Sequence, residues 1–167
     1  VISFTGSSRT GKIIMANASD TIKHVSLELG GKAPALVFDD ADLDKSVAEI
    51  RRGVLALNGQ MCTCISRILV QNSVYDSVRQ RLKEAFTSVK IGDASAAGTE
   101  LGPIIDRANQ QRLAGIIERA ANQAQMVIHG GVGEGELAKG CFITPSMFEI
   151  DDVGHDLVQD ELFGPIV

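Results

Sequence analysis

Short apolar segments that alternate with helical patterns constrain the fold of this chain most strongly. Apolar runs typical of strands occur at residues 1–4, 25–29, 35–38, 68–70 and 126–128. Between most of these runs, apolar residues recur at the three- and four-residue spacing of amphipathic helices. Strands that alternate with helices pack most readily as a parallel sheet with helices on its faces. The sequence therefore predicts an α/β fold with a mainly parallel sheet flanked by helices.

Capping and breaking residues predict where several elements begin and end. Ser7 or Ser8 can cap the first helix, and Asp42 can cap the second, because an apolar helical pattern follows each residue. Gly59 is expected to end the second helical pattern. The glycine-rich segment 131–141 is expected to form a surface loop.

Composition and charge exclude several classes of function. The chain has 167 residues, enough for one domain with a buried core, and a net charge of −5 with both signs interspersed. This pattern argues against a nucleic-acid partner and against a basic membrane-binding patch. No apolar stretch approaches the roughly 18 residues of a membrane-spanning helix, and no secretory signal opens the chain. We expect a soluble, cytoplasmic chain.

The cysteines and histidines indicate neither a disulfide framework nor a metal site. Three cysteines are present, and two of them, Cys62 and Cys64, are separated by a single residue. A disulfide framework requires an even set of spaced cysteines. The three histidines show no paired ligand spacing with the cysteines, so we expect no bound metal.

Two motifs supply a carboxylate and a thiol. Glu28 opens Glu-Leu-Gly-Gly-Lys at residues 28–32, directly after a strand-like run, and Cys62 follows a Gly-Gln break 34 residues after Glu28. A cysteine taken alone is usually a small packed side chain, and a glutamate is usually a solvated acid. A thiol that attacks and a carboxylate that activates water are, however, the groups that catalysis through a thioester requires. Cys62 and Glu28 are therefore the candidate nucleophile and general base.

These motifs resemble those of the aldehyde dehydrogenase superfamily. Glu-Leu-Gly-Gly-Lys, followed at this distance by Gly-Gln-x-Cys, matches the two active-site motifs of that family. Phe-Thr-Gly-Ser at residues 4–7 and Asp-Glu-Leu-Phe-Gly-Pro at residues 160–165 match two more, so the resemblance extends from end to end. It implies a piece of a longer protein, in which residues 1–27 end the coenzyme-binding domain. Residues 28–167 would be the catalytic domain, truncated at its C-terminal end.

The resemblance also implies a reaction and a role for each residue. Cys62 would attack an aldehyde, a hydride would pass to NAD or NADP, and water activated by Glu28 would hydrolyse the resulting thioester. Retention of Glu28 favours release of a free acid over transfer of the acyl group to coenzyme A. The backbone N–H of Cys62 would stabilise the oxyanion, and Met61 and Thr63 would line the aldehyde channel. The expected coenzyme contacts are Thr5, Gly6, Ser7, Leu29, Gly30, Glu161 and Phe163.

Several alternatives remain open at this point. Cys64 departs from most members of the family; it could trap an oxidised Cys62 as a reversible disulfide, or it could be an inert packed thiol. Residues 6–12 approach the P-loop pattern, but Ile13 stands where a serine or threonine should bind magnesium. Other functional hypotheses are a coenzyme-independent cysteine esterase and a non-catalytic truncated module.

The expected partner is a small-molecule aldehyde. We expect the isolated chain not to turn over substrate, because the family's dinucleotide pocket would precede residue 1. The parent protein is expected to be a homodimer or homotetramer, as the resemblance implies.

Overall fold

A computed structural model describes residues 1–167, which form two compact units, Val1–Gly31 and Lys32–Val167. The first unit contains strand β1 (Ile2–Thr5), helix α1 (Ser8–Ser19) and strand β2 (Val25–Glu28). β1 and β2 pair in parallel, with Thr5 opposite Glu28 at one end. Parallel strands require a crossover connection, which α1 provides.

Ser7 is the residue that caps α1. Its hydroxyl accepts a hydrogen bond from the backbone N–H of Thr10 at 3.2 Å, whereas Ser8 is already the first residue of the helix. This bond satisfies one of the N–H groups that the first helical turn leaves without a partner. The first of the two capping alternatives is therefore confirmed.

The second unit begins with a parallel pair of strands joined by a helix. Strand β3 (Ala33–Val37) leads to helix α2 (Leu43–Leu55), strand β4 (Ile65–Val70) and helix α3 (Tyr75–Thr87). β3 pairs in parallel with β4. Asp42 caps α2, as predicted, by accepting a hydrogen bond from the N–H of Lys45 at 3.1 Å. The buried faces of α2 and α3 form most of one core, which contains Val47, Ile50, Val54, Leu55, Val78, Leu82 and Phe86.

The remainder of the second unit is built on antiparallel strands and surrounds another core. Helix α4 (Arg107–Ala121) is followed by four short strands and, at the end, a short helix. These are strands β5 (Gln125–Ile128), β6 (Gly131–Val132), β7 (Ile143–Thr144) and β8 (Met147–Glu149), and helix α5 (Asp156–Gln159). β5 pairs with β8, and β6 pairs with β7. The core beneath them includes Ile104, Leu113, Ile117, Ile143, Phe148, Leu157, Leu162 and Ile166.

The α/β class is confirmed, but the strands form four separate two-stranded sheets, of which two are parallel and two antiparallel. The segment 131–141, predicted to be a loop, contains β6 and a short 3₁₀ turn at Gly135–Lys139. A strand of two residues shows no alternation, so its pairing depends on a distant partner that local sequence does not reveal. No helix has both the length and the apolar character needed to cross a membrane.

Candidate active site

The candidate nucleophile follows a turn with an unusual backbone. α2 ends at Leu55, four residues before the glycine expected to end it, and a 3₁₀ turn covers Ala56–Gly59. Leu57, Asn58 and Gly59 have φ angles of 47°, 61° and 72°. The left-handed region is rare for residues with a side chain, and three consecutive residues there require support from their surroundings.

Gly59 is the one residue of this turn at which no side chain fits. A Cβ added there would lie 2.3 Å from the carbonyl carbon and oxygen of Gly164, and 2.7 Å from the nitrogen of Pro165. Both distances are far below a van der Waals contact. This approach joins the turn before Cys62 to the segment that carries the candidate coenzyme residues Glu161 and Phe163.

Two side-chain amides attach the same turn to residues 102–105. Asn58 Nδ2 donates to the carbonyl of Pro103 at 2.9 Å, and Asn58 Oδ1 accepts from the N–H of Gly102 at 2.8 Å. Gln60 Oε1 accepts from the N–H of Ile105 at 3.0 Å. Sequence reasoning missed these contacts, because only the fold brings residues 102–105 to the turn.

Cys62 itself is exposed, and its backbone N–H makes no hydrogen bond within the chain. An unengaged N–H beside an accessible thiol can stabilise an oxyanion formed on that thiol. The neighbouring Thr63 is exposed and Met61 is half-buried, so both can contribute to a surface around the thiol.

Cys64 has a different environment from Cys62. Its side chain is only 8% exposed, and its Sγ donates to the carbonyl of Ala56 at 3.3 Å. Burial is the main cause that raises the pKa of the Cys64 thiol. Since the thiolate is the reactive form, these features favour the packed-thiol alternative over the disulfide hypothesis.

The segment Glu161 to Gly164 is anchored to α4. The carbonyl of Leu162 accepts from Arg112 Nη2 at 2.7 Å, and a Cβ at Gly164 would lie 2.6 Å from Leu113 Cδ1. Phe163 has a φ of 57° and is 41% exposed, so its ring is available to a ligand. Glu161 is half-buried.

Lys32 is a half-buried residue close to this segment, and its side-chain nitrogen lacks a hydrogen-bond partner. Its Nζ is shielded from solvent, while its carbonyl accepts from Arg67 Nη2 at 2.6 Å. Burial, followed by repulsion from Arg67, lowers the pKa of Lys32 to about 8, although Asp160 and Glu161 oppose the shift. Sequence reasoning treated this residue only as part of a motif.

The other candidate residues lie at the carboxyl ends of the two strands of the first unit. The N–H of Gly6 donates to the carbonyl of Glu28 at 3.0 Å, which holds the turn after β1 beside the end of β2. The Glu28 side chain is exposed. The predicted residues of this unit therefore lie together: Thr5, Gly6, Ser7, Glu28, Leu29 and Gly30.

Helix α1 begins at this edge and can attract an anion. The first-turn N–H groups of a helix have no intrahelical partner, and the helix dipole favours negative charge there. α1 has twelve residues, and Gly6 and Ser7 directly precede it. This arrangement fits the phosphate group of a nucleotide.

Comparison with known proteins assigns the family. The model of the aldehyde dehydrogenase family matches residues 1–167. Betaine aldehyde dehydrogenase of Vibrio vulnificus is 38% identical over 170 residues, which cover 99% of this chain and 35% of that protein. Aminoaldehyde dehydrogenase ALDH10A8 of Arabidopsis thaliana is 36% identical over 166 residues, which cover 99% of this chain and 33% of that protein.

Solved structures agree with this assignment. HpcC of Thermus thermophilus superposes with a TM-score of 0.95 at 33% identity, covering all (100%) of this chain and 33% of that chain. Betaine aldehyde dehydrogenase of Staphylococcus aureus in complex with NAD+ gives a TM-score of 0.94 at 38% identity. The match covers 99% of this chain and 33% of that chain. The chain thus spans about a third of the length of these relatives. It belongs to the aldehyde dehydrogenase family.

Proposed function

We propose that the protein of which this chain is part oxidises an aldehyde to a free carboxylic acid, with NAD or NADP as coenzyme and Cys62 as nucleophile. The observation that carries this proposal is the position of Cys62. Its thiol is exposed and its backbone N–H makes no hydrogen bond within the chain. The turn that precedes it is held by side-chain hydrogen bonds and contacts the Glu161–Gly164 segment. Three of the relatives named above support the same chemistry, because they are aldehyde dehydrogenases and one of them is solved in complex with NAD+.

Cys62 would act through two covalent intermediates. Its thiolate adds to the carbonyl carbon, and the oxyanion that forms accepts a hydrogen bond from the N–H of Cys62. Re-formation of the C=O bond then expels a hydride from the former aldehyde carbon and leaves a thioester on Cys62. A coenzyme held by Thr5, Gly6, Ser7, Glu161 and Phe163 would supply the acceptor for this hydride.

Glu28 would act in the second half of the reaction. Its carboxylate takes a proton from a water molecule, whose oxygen attacks the thioester carbon. The C–S bond breaks, releasing the carboxylic acid and regenerating the thiolate of Cys62.

Two places in this chain are proposed to contact the coenzyme. The N-terminal turn of α1, preceded by Thr5, Gly6 and Ser7, would hold a phosphate group. Glu161 would accept hydrogen bonds from ribose hydroxyls, and Phe163 would pack against the nicotinamide end. Leu29 and Gly30 are proposed as further contacts.

We propose that residues 1–167 alone do not complete the reaction cycle, because the relatives use about three times this length. A boundary between a coenzyme-binding part and a catalytic part after residue 27 remains a prediction, as does a homodimeric or homotetrameric parent protein.

The test is aldehyde oxidation by the full-length protein, assayed with NAD and NADP against a panel that includes betaine aldehyde and succinic semialdehyde. Cys62→Ser is expected to lower the rate at least about a thousandfold. Cys141→Ser, at a half-buried thiol outside the site, is the matched control and should retain the rate. Retention of more than a tenth of the rate by Cys62→Ser would refute the proposal.

A second variant tests the role of Glu28. Glu28→Gln is expected to release one equivalent of reduced coenzyme in a burst, followed by a steady-state rate at least about a hundredfold below that of the wild type. A burst with an unchanged steady state would assign water activation to another group. Ester cleavage without coenzyme, together with no aldehyde oxidation, would instead identify a cysteine esterase.

A further inference from the structure

The turn before Cys62 cannot maintain its own backbone conformation. Leu57 and Asn58 both have positive φ angles, which residues with a Cβ rarely adopt. Leu57 is 70% exposed, so its side chain contributes little packing to offset this cost. The turn must therefore be held by contacts with another segment of the chain, and the side chains of Asn58 and Gln60 make them.

Asn58 uses its whole side-chain amide for this purpose. The Nδ2 group donates to Pro103 O at 2.9 Å, and Oδ1 accepts from Gly102 N at 2.8 Å. Both polar atoms are thereby engaged with the backbone of one short segment. Asn58 is therefore not available to bind an oxyanion, although it lies only four residues before Cys62.

Gln60 adds a second attachment on the other side of Gly59. Its Oε1 accepts from Ile105 N at 3.0 Å, and its Nε2 donates to Leu57 O at 3.4 Å. The two amides thus bind successive parts of the same segment, residues 102–105.

That segment is itself fixed to the second unit. Leu101, directly before it, is fully buried (0% exposed), and its N–H donates to Lys90 O at 3.2 Å. The N–H of Ile104 donates to Cys141 O at 2.7 Å. Asp106, directly after the segment, caps α4 by accepting from Asn109 N at 2.7 Å. The turn is therefore attached to a support that is held at both ends.

We propose that Asn58 is a positioning residue for Cys62, whose side-chain amide holds the thiol-bearing turn on residues 102–105. This inference rests on the proposed function and extends it. Asparagine suits the position because it tolerates the left-handed conformation better than most residues and has both a donor and an acceptor. Aspartate would keep only the acceptor, and glycine would keep the backbone conformation without either contact.

The Asn58 contacts should matter for the position of the Cys62 thiol rather than for the binding of substrate. Covalent attack demands that the thiol meet the carbonyl carbon within a narrow range of distance and angle, and a displacement of about 1 Å can cost a hundredfold in rate. Loss of the Asn58 contacts should therefore lower kcat more than it raises KM.

The experiment compares Asn58→Gly with Leu57→Gly in the full-length protein. Both variants remove a side chain from a left-handed position in the same turn, but only Asn58→Gly removes contacts with residues 102–105. We expect kcat to fall about tenfold or more in Asn58→Gly, with KM for aldehyde and coenzyme changed less than about threefold. Leu57→Gly should stay within about twofold of the wild type.

Hydrogen exchange provides a readout that does not depend on activity. The N–H of Gly102 loses its acceptor in Asn58→Gly, so the peptide covering residues 100–106 should exchange faster than in Leu57→Gly. Thermal melts of all variants verify that the folded fraction is the same. If Asn58→Gly does not fold, Asn58→Asp replaces it in the same comparison, with a smaller expected loss of kcat.

The outcomes distinguish this inference from the proposed function. No aldehyde oxidation by the wild type would refute the proposed function. An active wild type, with Asn58→Gly and Leu57→Gly equal in kcat, would overturn the positioning role alone. A fall in kcat confined to the Asn58 variant, accompanied by faster exchange at residues 100–106, would support it.

Discussion

Replacing Lys32 with methionine should stabilise the folded protein at neutral pH. The Nζ of Lys32 is buried and has no hydrogen-bond partner, and its charge interacts electrostatically with Arg67, Asp160 and Glu161. Burying a charge without a hydrogen-bond partner is costly. Lys32→Met retains a long, flexible, apolar chain and removes that charge.

The size of the expected gain in the free energy of unfolding follows from the lowered pKa of Lys32. Burial lowers the pKa of Lys32 from the ordinary 10.5 to about 8. Each unit by which the pKa is lowered destabilises the folded state by about 1.4 kcal/mol when the group is charged. The upper limit is therefore about 3 kcal/mol. Because the residue is only half-buried, solvent screening reduces the expected gain to about 1–2 kcal/mol.

The gain should depend on pH in a defined direction. Below pH 8 both the folded and the unfolded chain carry the proton on Lys32, so the buried charge destabilises the folded wild type by its full amount. Between pH 8 and 10.5 the folded wild type loses the proton, and its stability rises relative to that of Lys32→Met. Above pH 10.5 the charge-dependent difference should vanish.

Urea denaturation of both proteins at pH 7, 9 and 11, followed by far-ultraviolet circular dichroism, measures this difference. Lys45→Met, at an exposed lysine of α2, is the matched control and should leave stability nearly unchanged. The reasoning would be refuted if Lys32→Met were less stable than the wild type at pH 7. A gain of equal size at pH 7 and 11 would also contradict it.

Three further predictions concern the turn, a helix cap and the second cysteine. Gly59→Ala should lower the free energy of unfolding by about 3 kcal/mol or more. The control is Gly98→Ala, which has a similar φ of +86° but no atom within 4 Å of the added Cβ, and which should lower that free energy by only about 1 kcal/mol. Equal urea midpoints for the two variants would contradict this prediction. Asp106→Ala should cost about 1 kcal/mol through loss of the α4 cap, and an unchanged urea midpoint would argue against it. Dilute peroxide should oxidise Cys62 without crosslinking it to Cys64, as read by mass spectrometry; a Cys62–Cys64 disulfide would instead establish the redox hypothesis.

Features of the fold that depend on neighbouring residues could be predicted from the sequence. Ser7 and Asp42 cap their helices through bonds to N–H groups three residues ahead, so a local pattern contains all the information required. The α/β class could also be predicted locally, because apolar residues recur at a different spacing in strands than in helices. β8 and α5 were not predicted, since three or four residues are too few to show a period.

The sequence by itself determined the family and the identity of the candidate nucleophile, since the motifs around Glu28 and Cys62 are contiguous. Only the tertiary structure decided what holds the nucleophile in place. The Asn58 amide binds the carbonyl of Pro103, 45 residues away, and Gly59 accommodates the backbone of Gly164. Such contacts join segments distant along the chain, and their geometry exists only once both cores have packed. The burial of Lys32 was decided in the same way, because the charges around it come from segments that folding brings together.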